Sequence, residues 1–272
     1  MLYGLAVDYR AEPSILGDSI AAQACDRIDY DFTRLRSRLV SPESMSVKVA
    51  ARARFFDAWT NDFLAEHERA TVLHLGAGLD PRVWRIDPGP GVAWYDVDLP
   101  GIVDARRELF PDHANYRLIA ASVTEPSWLE RIPPEPPVLV IAQGLTMYLR
   151  PEDGCTLLRR ITDRFARGAV ILDTYSKLGV RVVNGMLKRQ FGSAMLCWAI
   201  DDPRELERAV SPLRCTDVVS ATSPAVVDGL PAGTAPRGSR LFARIAELVP
   251  PLRDLSLHVR YEFGAADRTT TA

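Results

Sequence analysis

Five short apolar runs, at residues 71–75, 92–97, 116–120, 138–142 and 169–173, alternate with stretches of helical spacing, and this alternation constrains the fold more than any other feature. Runs of four to six residues that are apolar at nearly every position suit parallel strands covered on both faces. Between them, 102–109 and 151–165 repeat apolar residues at three- and four-residue spacing, as crossover helices do. The prediction is an α/β fold with a doubly wound, mostly parallel sheet. At 272 residues the chain suffices for one such domain, residues 1–272, with an appended cap.

The flanking regions have a different texture. Residues 14 to about 67 read as helical in two runs, one carrying Ile20, Ala24, Ile28, Phe32 and Leu35, the other Val47, Ala51, Phe55, Ala58 and Phe63. The Ser41-Pro42-Glu43-Ser44 stretch separates them. After Asp173 comes a basic, helix-like stretch at 176–200, then a helix at 201–210 with Asp201 or Asp202 as N-cap and Pro203 at its first position. A Pro/Gly/Ser-rich loop at 223–239, a helix at 241–248 and an alternating strand at 255–263 follow, and the small, polar 265–272 reads as disordered. The expected organisation is a helical N-terminal cap (1–67), a ligand-binding core (70–175), an inserted lid or acceptor region (176–212) and C-terminal strands with a helix (213–272).

Charge and cysteine usage remove several function classes. A formal net charge of −2 gives no electrostatic reason for a nucleic-acid or membrane partner. Asp8 and Arg10 interrupt the mildly apolar start, and nothing approaches the roughly 18 uninterrupted apolar residues of a membrane span, so a cytoplasmic location is expected. Cys25, Cys155, Cys197 and Cys215 are scattered without a C-x-x-C pair, among only four histidines. They read as buried small hydrophobes, and no metal site is expected.

The first apolar run stops at Gly76-Ala77-Gly78. A strand ending in Gly-x-Gly lets the backbone approach a ligand where side chains would block it, at the carboxyl end of a sheet, where open α/β folds bind ligands. A dinucleotide fingerprint needs a third small residue at position 81, and Pro81 stands there, which counts against a nicotinamide cofactor. About twenty residues on, the second run ends in Asp96-Val97-Asp98-Leu99-Pro100. Asp98, at the strand's end, suits the two ribose hydroxyls of an adenosine ligand. Asp96 is expected to face a helix N-terminus or an arginine instead.

These spacings establish a nucleotide-type site, and a resemblance carries the reading further. The run from Gly76 to Arg85, the Val97-Asp98-Leu99-Pro100 segment and Gln143-Gly144-Leu145-Thr146-Met147-Tyr148-Leu149 resemble the leucine carboxyl methyltransferase family, nearest to its bacterial polyketide carboxyl O-methyltransferase branch. Ala51-Arg52-Ala53-Arg54-Phe55-Phe56-Asp57 and Trp198-Ala199-Ile200-Asp201-Asp202-Pro203 extend the resemblance over roughly residues 45 to 206. It implies a Rossmann-like, seven-stranded class I methyltransferase fold and S-adenosylmethionine as cofactor. It further implies that Arg52 pairs with the methionyl carboxylate, for which a guanidinium fork is suited, with Arg54 as the alternative. Gly76, Ala77 and Gly78 would pack on the methionyl and ribose portion, Asp98 and Leu99 would adjoin the ribose, and Ser122 and Val123 the adenine. Two positions depart from the family pattern: Ser122 stands where an aspartate is common, and Gln143 where a glutamate is usual. Each change removes a charge while keeping an acceptor for the adenine amino group or the methionyl ammonium.

The expected partner is a small-molecule methyl acceptor. A carboxylate is already ionised at neutral pH, so its methylation needs no general base, and no His–carboxylate arrangement is evident. Tyr148 and Arg82 are candidates for positioning the acceptor, Arg82 alternatively as a partner of Asp96 or Asp98. Phe191, Met195, Trp198 and Met186 either line an apolar acceptor pocket or pack as core. The competing readings are a cofactor-binding pseudoenzyme or regulator, motivated by Ser122 and Gln143, a protein C-terminal methyltransferase, and a nicotinamide-dependent oxidoreductase.

Overall fold

Alternate residues of the apolar runs point to opposite faces of one sheet, and both faces are covered. The computed structural model describes residues 1–32, 41–193, 195–234 and 238–264. Strands β1 (Ala70–Leu75), β2 (Val92–Asp98), β3 (Tyr116–Ala120), β4 (Val138–Ala142) and β5 (Gly168–Tyr175) are mutually parallel. Strands β6 (Arg214–Ser220) and β7 (Ser256–Phe263) complete a seven-stranded sheet in the order β3-β2-β1-β4-β5-β7-β6, β7 running antiparallel to both its neighbours. Leu73, Leu75, Val140, Ala142, Val170 and Leu172 face one way, onto Leu157, Leu158 and Ile161 of a helix at Pro151–Arg164. Val72, Trp94, Leu139, Ile141 and Ile171 face the other way, onto Phe56 and Phe63 of a helix at Pro42–Glu66. This two-sided burial is why the runs are continuous instead of alternating.

In chain order the helices are α1 (Leu2–Tyr9), α2 (Ser19–Asp26), α3 (Pro42–Glu66), α4 (Arg82–Ile86), α5 (Pro100–Leu109), α6 (Pro151–Arg164), α7 (Lys177–Phe191), α8 (Arg204–Ala209), α9 (Pro224–Asp228), α10 (Ser239–Leu248) and α11 (Pro250–Arg253). The chain leaves β1 toward β3 on one side and returns to β4 on the other, so the β1 and β4 carboxyl ends flank a topological switch point.

Several expectations are corrected. The helical reading of 14–67 is broken: only α2 and α3 are helical within it among the described residues, and Leu35 lies outside them. The turn at 14–17 is organised by Asp8, whose carboxylate accepts from the Ile15 and Leu16 amides at 2.9 Å and from the Ser14 hydroxyl at 2.8 Å. Asp8, read as an interruption of an apolar start, is thus the buried end of helix α1. The helix expected at 201–210 begins at Arg204, and the Asp202 carboxylate receives the Arg204 amide at 2.9 Å. Helix α9 stands inside the expected 223–239 loop, Ser223 being its N-cap. Strand β6 carries charged, mostly exposed residues at the sheet edge, which hides it from an apolar pattern. Of the four cysteines expected to be buried, only Cys25 is: Cys155 and Cys215 are half-buried and Cys197 is exposed; the expectation for 265–272 lies outside the described residues.

Trp198 is a core residue. Its indole lies directly on Gly154 of α6, where a Cβ would fall inside the ring. The Gly154→Ala variant gains helix propensity of about 1 kcal/mol but must displace a buried indole, an overpacking that costs about 1–3 kcal/mol. The expected outcome is a net loss of stability, read as a lower midpoint in denaturant at unchanged slope.

Candidate active site

The turn after β1 is built for close approach and is held from behind. Gly76 (φ +61°) and Gly78 (φ +54°) both occupy left-handed backbone that favours glycine. At Gly76 a Cβ would lie 2.9 Å from the Leu145 Cδ1, whereas no atom stands within 4 Å of the Cβ position at Gly78. The cradle is closed on one side and open on the other. The Asp98 carboxylate accepts from the Gly78 and Leu99 amides, each at 2.7 Å, one on each oxygen. A carboxylate has about four acceptor directions, so about two remain for a diol.

Asp96 faces the other way and takes the arginine alternative. It is fully buried and accepts from Arg106 of α5, from the Tyr116 hydroxyl at 2.8 Å and from the Trp94 indole at 2.9 Å, with His74 Nδ1 3.1 Å away. Burial alone would raise its pKa, but Arg106, His74 and Tyr116 hold it below the usual carboxylate range. The same Arg106 donates to the Gly78 and Asp80 carbonyls at 2.8 and 3.0 Å, so the turn is tied to β2 through one guanidinium.

The expected pairing of Arg82 with Asp96 or Asp98 is corrected. The Arg82 side chain is fully buried and contacts neither Asp96 nor Asp98: its Nε lies 2.9 Å from Asp57 and its Nη2 3.1 Å from Asp80, and it donates to the Gln143 side-chain carbonyl. In this arrangement the Gln143 oxygen faces Arg82, and its amide nitrogen lies 3.6 Å from the Met1 sulfur. Arg85 completes the cluster by pairing with Asp18, Asp57 and Asp80 at 2.5–2.9 Å. Burial pushes the Asp18 carboxyl up, opposed by Arg85, whereas Arg85 and Arg82 overcome burial at Asp80 and hold it low.

At the ends of β4 and β5, Arg52 donates to Asp173 at 2.9 Å while keeping a quarter of its side chain exposed. Asp173 is buried and also receives the Gly144 amide at 2.6 Å. Arg54 points elsewhere, to the Ile15 carbonyl at 3.4 Å. His258 of β7 pairs in register with Asp173, its Nδ1 unpartnered beneath the Phe55 and Phe56 rings.

Ser122 follows β3, beside the end of β2, where the Ala121 amide donates to the Asp98 carbonyl at 2.9 Å. Its hydroxyl is shared with Thr124 at 2.8 Å, and Val123 is buried, its carbonyl taking the Trp128 indole N–H at 3.2 Å. Tyr148, in a short turn after β4, is about half exposed. The segment beyond α7 crosses this turn, the Cys197 and Trp198 amides donating to the Met147 carbonyl at 2.8 and 3.2 Å. Asn184 of α7 binds Met195 and Leu196 main-chain groups at 2.9–3.0 Å and so fastens this crossing to the helix. Met186 and Met195 are exposed, Trp198 belongs to the core, and the Phe191 side chain lies outside the description.

Residues 5–162 match the leucine carboxyl methyltransferase family. The chain belongs to that family. It is 40% identical over 231 residues to the tetracenomycin polyketide synthesis O-methyltransferase TcmP of Streptomyces glaucescens, covering 85% of this chain and 84% of TcmP. It is 31% identical to the S-adenosyl-L-methionine-dependent methyltransferase dpfgK of Gibberella zeae, covering 78% and 77% of the two chains. Among solved structures, a Thermobifida fusca YX protein superposes with a TM-score of 0.58 at 18% identity, over 97% of this chain and 95% of that one. Magnesium protoporphyrin IX methyltransferase ChlM of Synechocystis PCC 6803, solved with bound SAH, superposes at 0.50 with 12% identity, over 90% and 95%. This leucine carboxyl methyltransferase family member is therefore an S-adenosylmethionine-dependent methyltransferase with the class I fold. No helix among the described residues is long and apolar enough to cross a membrane.

The residues present fit the cofactor: open space at Gly78, spare acceptors on Asp98, and a partly exposed Arg52 whose Nη1 and Nη2 lie 3.7 Å from the Gly144 Cβ position. Sequence reading missed Asp57, Asp80, Arg85, Arg106 and Asp173, all of which hold the site from behind. Of these, only Asp173 carried a signal in its own element, a carboxylate closing the apolar run Ala169–Leu172 of β5.

His258 gives the fold a pH signature. Burial drives its pKa down to about 4. The unfolded chain's histidine protonates near 6.5, so between about pH 6.5 and 4 the unfolded state binds more protons and stability falls as pH drops, by up to about 3 kcal/mol. Above pH 7 both states are neutral and the slope vanishes. In His258→Phe, melting temperature followed from pH 7 to pH 4.5 is expected to lose most of this decline.

Proposed function

We propose that this methyltransferase esterifies a carboxylate of a small polyketide-like acid. The observation that carries the reading is the identity to a polyketide O-methyltransferase over more than four-fifths of both chains. The donor supplies a sulfonium methyl group open to in-line displacement. In this reading Asp98 accepts from the two ribose hydroxyls with its spare acceptor directions, and Leu99 borders the ribose. The Gly76-Ala77-Gly78 main chain lies against the ribose and methionyl portion, Arg52 holds the methionyl carboxylate, and Ser122 and Val123 flank the adenine. Tyr148, at the mouth of the site, positions the acceptor. Arg82 is given a supporting role, since its buried guanidinium is already engaged by Asp57, Asp80 and Gln143. The engagement of Gln143 also supports an active enzyme over a pseudoenzyme, because the departure falls on a residue that faces Arg82.

A carboxylate nucleophile needs no proton removed, so the work left to the chain is alignment and exclusion of water. Helix α7 begins directly at the end of β5 and the 195–200 segment crosses over Met147, which supports reading both as the acceptor side of the site.

Two measurements test these assignments. Asp98→Ala should weaken SAH binding in calorimetry by at least about 2 kcal/mol, the value of charge-assisted hydrogen bonds, while Asp96→Ala chiefly lowers stability. The reverse order would transfer the ribose role to Asp96. Incubation with methyl-labelled S-adenosylmethionine and a panel of aromatic polyketide acids should yield a base-labile methyl ester. A base-stable ether as sole product would move the reaction to a hydroxyl oxygen.

A further inference from the structure

We infer that Asp173 is a positioning residue for the methionyl end of the cofactor site, fixing the Arg52 guanidinium and the Gly144 main chain with one carboxylate. The inference rests on the reading of Arg52 as the ligand of the methionyl carboxylate. Asp173 lies in the buried part of β5, near its carboxyl end, and its two oxygens serve different elements: Oδ2 receives Arg52 of α3 at 2.9 Å and Oδ1 receives the Gly144 amide, after β4, at 2.6 Å. Its own carbonyl receives the Thr146 hydroxyl at 2.6 Å, so the turn that carries Tyr148 hangs from the same residue.

The asymmetry of the pair points to a ligand. Asp173 is 1% exposed and Arg52 is 25% exposed, so the carboxylate is sealed in the sheet while its partner keeps contact with solvent. Nη1 and Nη2 both lie 3.7 Å from where a Gly144 Cβ would stand, so the guanidinium plane is laid along the main chain that follows β4. A guanidinium offers five donors and Asp173 takes one, leaving others for a second carboxylate in a fixed direction. Behind Asp173, His258 is held neutral by burial and supplies no competing positive charge. A long, flexible side chain is thereby restricted before the ligand arrives, the condition under which a fork-shaped donor set discriminates geometry.

The test compares two ligands that share the nucleoside and the thioether. S-Adenosylhomocysteine carries the amino-acid carboxylate, and 5′-methylthioadenosine lacks it. Asp173→Asn must turn an N–H₂ toward either Arg52 or the Gly144 N–H, which spoils one of the two contacts. It is expected to weaken S-adenosylhomocysteine binding at least tenfold and methylthioadenosine binding less than twofold. A parallel loss for both ligands, or no loss for either, overturns the assignment of Asp173. Arg52→Ala checks the underlying reading separately: if it fails to separate the two ligands, Arg52 does not hold the methionyl carboxylate and the inference falls with it. Should Asp173→Asn fail to fold, the double variant with Arg52→Ala removes the stranded charge. Its S-adenosylhomocysteine affinity should equal that of Arg52→Ala alone, and a further loss above threefold would show that Asp173 acts by another route.

Discussion

The glycine turn keeps its shape because a buried guanidinium grips it from behind. Arg106 takes the Asp96 carboxylate and the Tyr116 hydroxyl with one edge and the Gly78 and Asp80 carbonyls with another. Two consecutive strands, the helix between β2 and β3, and the ligand-approach loop are thus joined at one group. A left-handed Gly-x-Gly segment has little intrinsic preference for any single conformation. Its amides at Gly76 and Gly78 are taken by the Val97 carbonyl and the Asp98 carboxylate, and Arg106 holds its Gly78 and Asp80 carbonyls. Leaving either Asp96 or Arg106 unpaired would strand a charge inside the sheet, so the pair is maintained by the cost of breaking it more than by its net gain.

A second ionic cluster does for the N-terminal helices what Arg106 does for the turn. Arg85 of α4 reaches Asp18 at the start of α2, Asp57 of α3 and Asp80 of the turn. Helix α3 in turn carries Arg52 to the ends of β4 and β5. The helices covering the site are therefore fastened by groups that also shape it, and displacement of α3 would disturb the glycine turn and the Arg52–Asp173 pair together.

The sheet was legible where burial is two-sided, because continuous apolar runs have few other uses: β4, buried at every position, ends at the residues the pattern indicates. Strand β6 was not, since an exposed edge strand tolerates Arg214, Thr216 and Asp217 without penalty. Helix α1 escaped notice because Asp8 looks like a break until its carboxylate is seen serving the 14–17 turn. In the candidate site, the turn and Asp98 could be picked out because their chemistry is local: glycines beside a strand end, and a carboxylate at the next one. Several residues that brace them act across long stretches of sequence, 28 positions for Arg85 on Asp57 and 121 for Arg52 on Asp173. Only the packed fold gives such groups their partners.

This dependence on partners also explains the glutamine that departs from the family pattern. Gln143 meets Arg82 inside a cluster that already sets the carboxylates of Asp18, Asp57 and Asp80 against the guanidinium groups of Arg82 and Arg85. Three carboxylates face two cations. Burial raises the Asp18 pKa, whereas Arg85 and Arg82 hold that of Asp80 low. A glutamate at 143 would add a fourth carboxylate to a region with no spare cation among these groups, whereas glutamine offers Arg82 the same acceptor without the charge. The substitution is thus accounted for by its neighbours on the buried side of the loop. A separate pair, Arg52 and Asp173 at the ends of β4 and β5, keeps a guanidinium partly exposed.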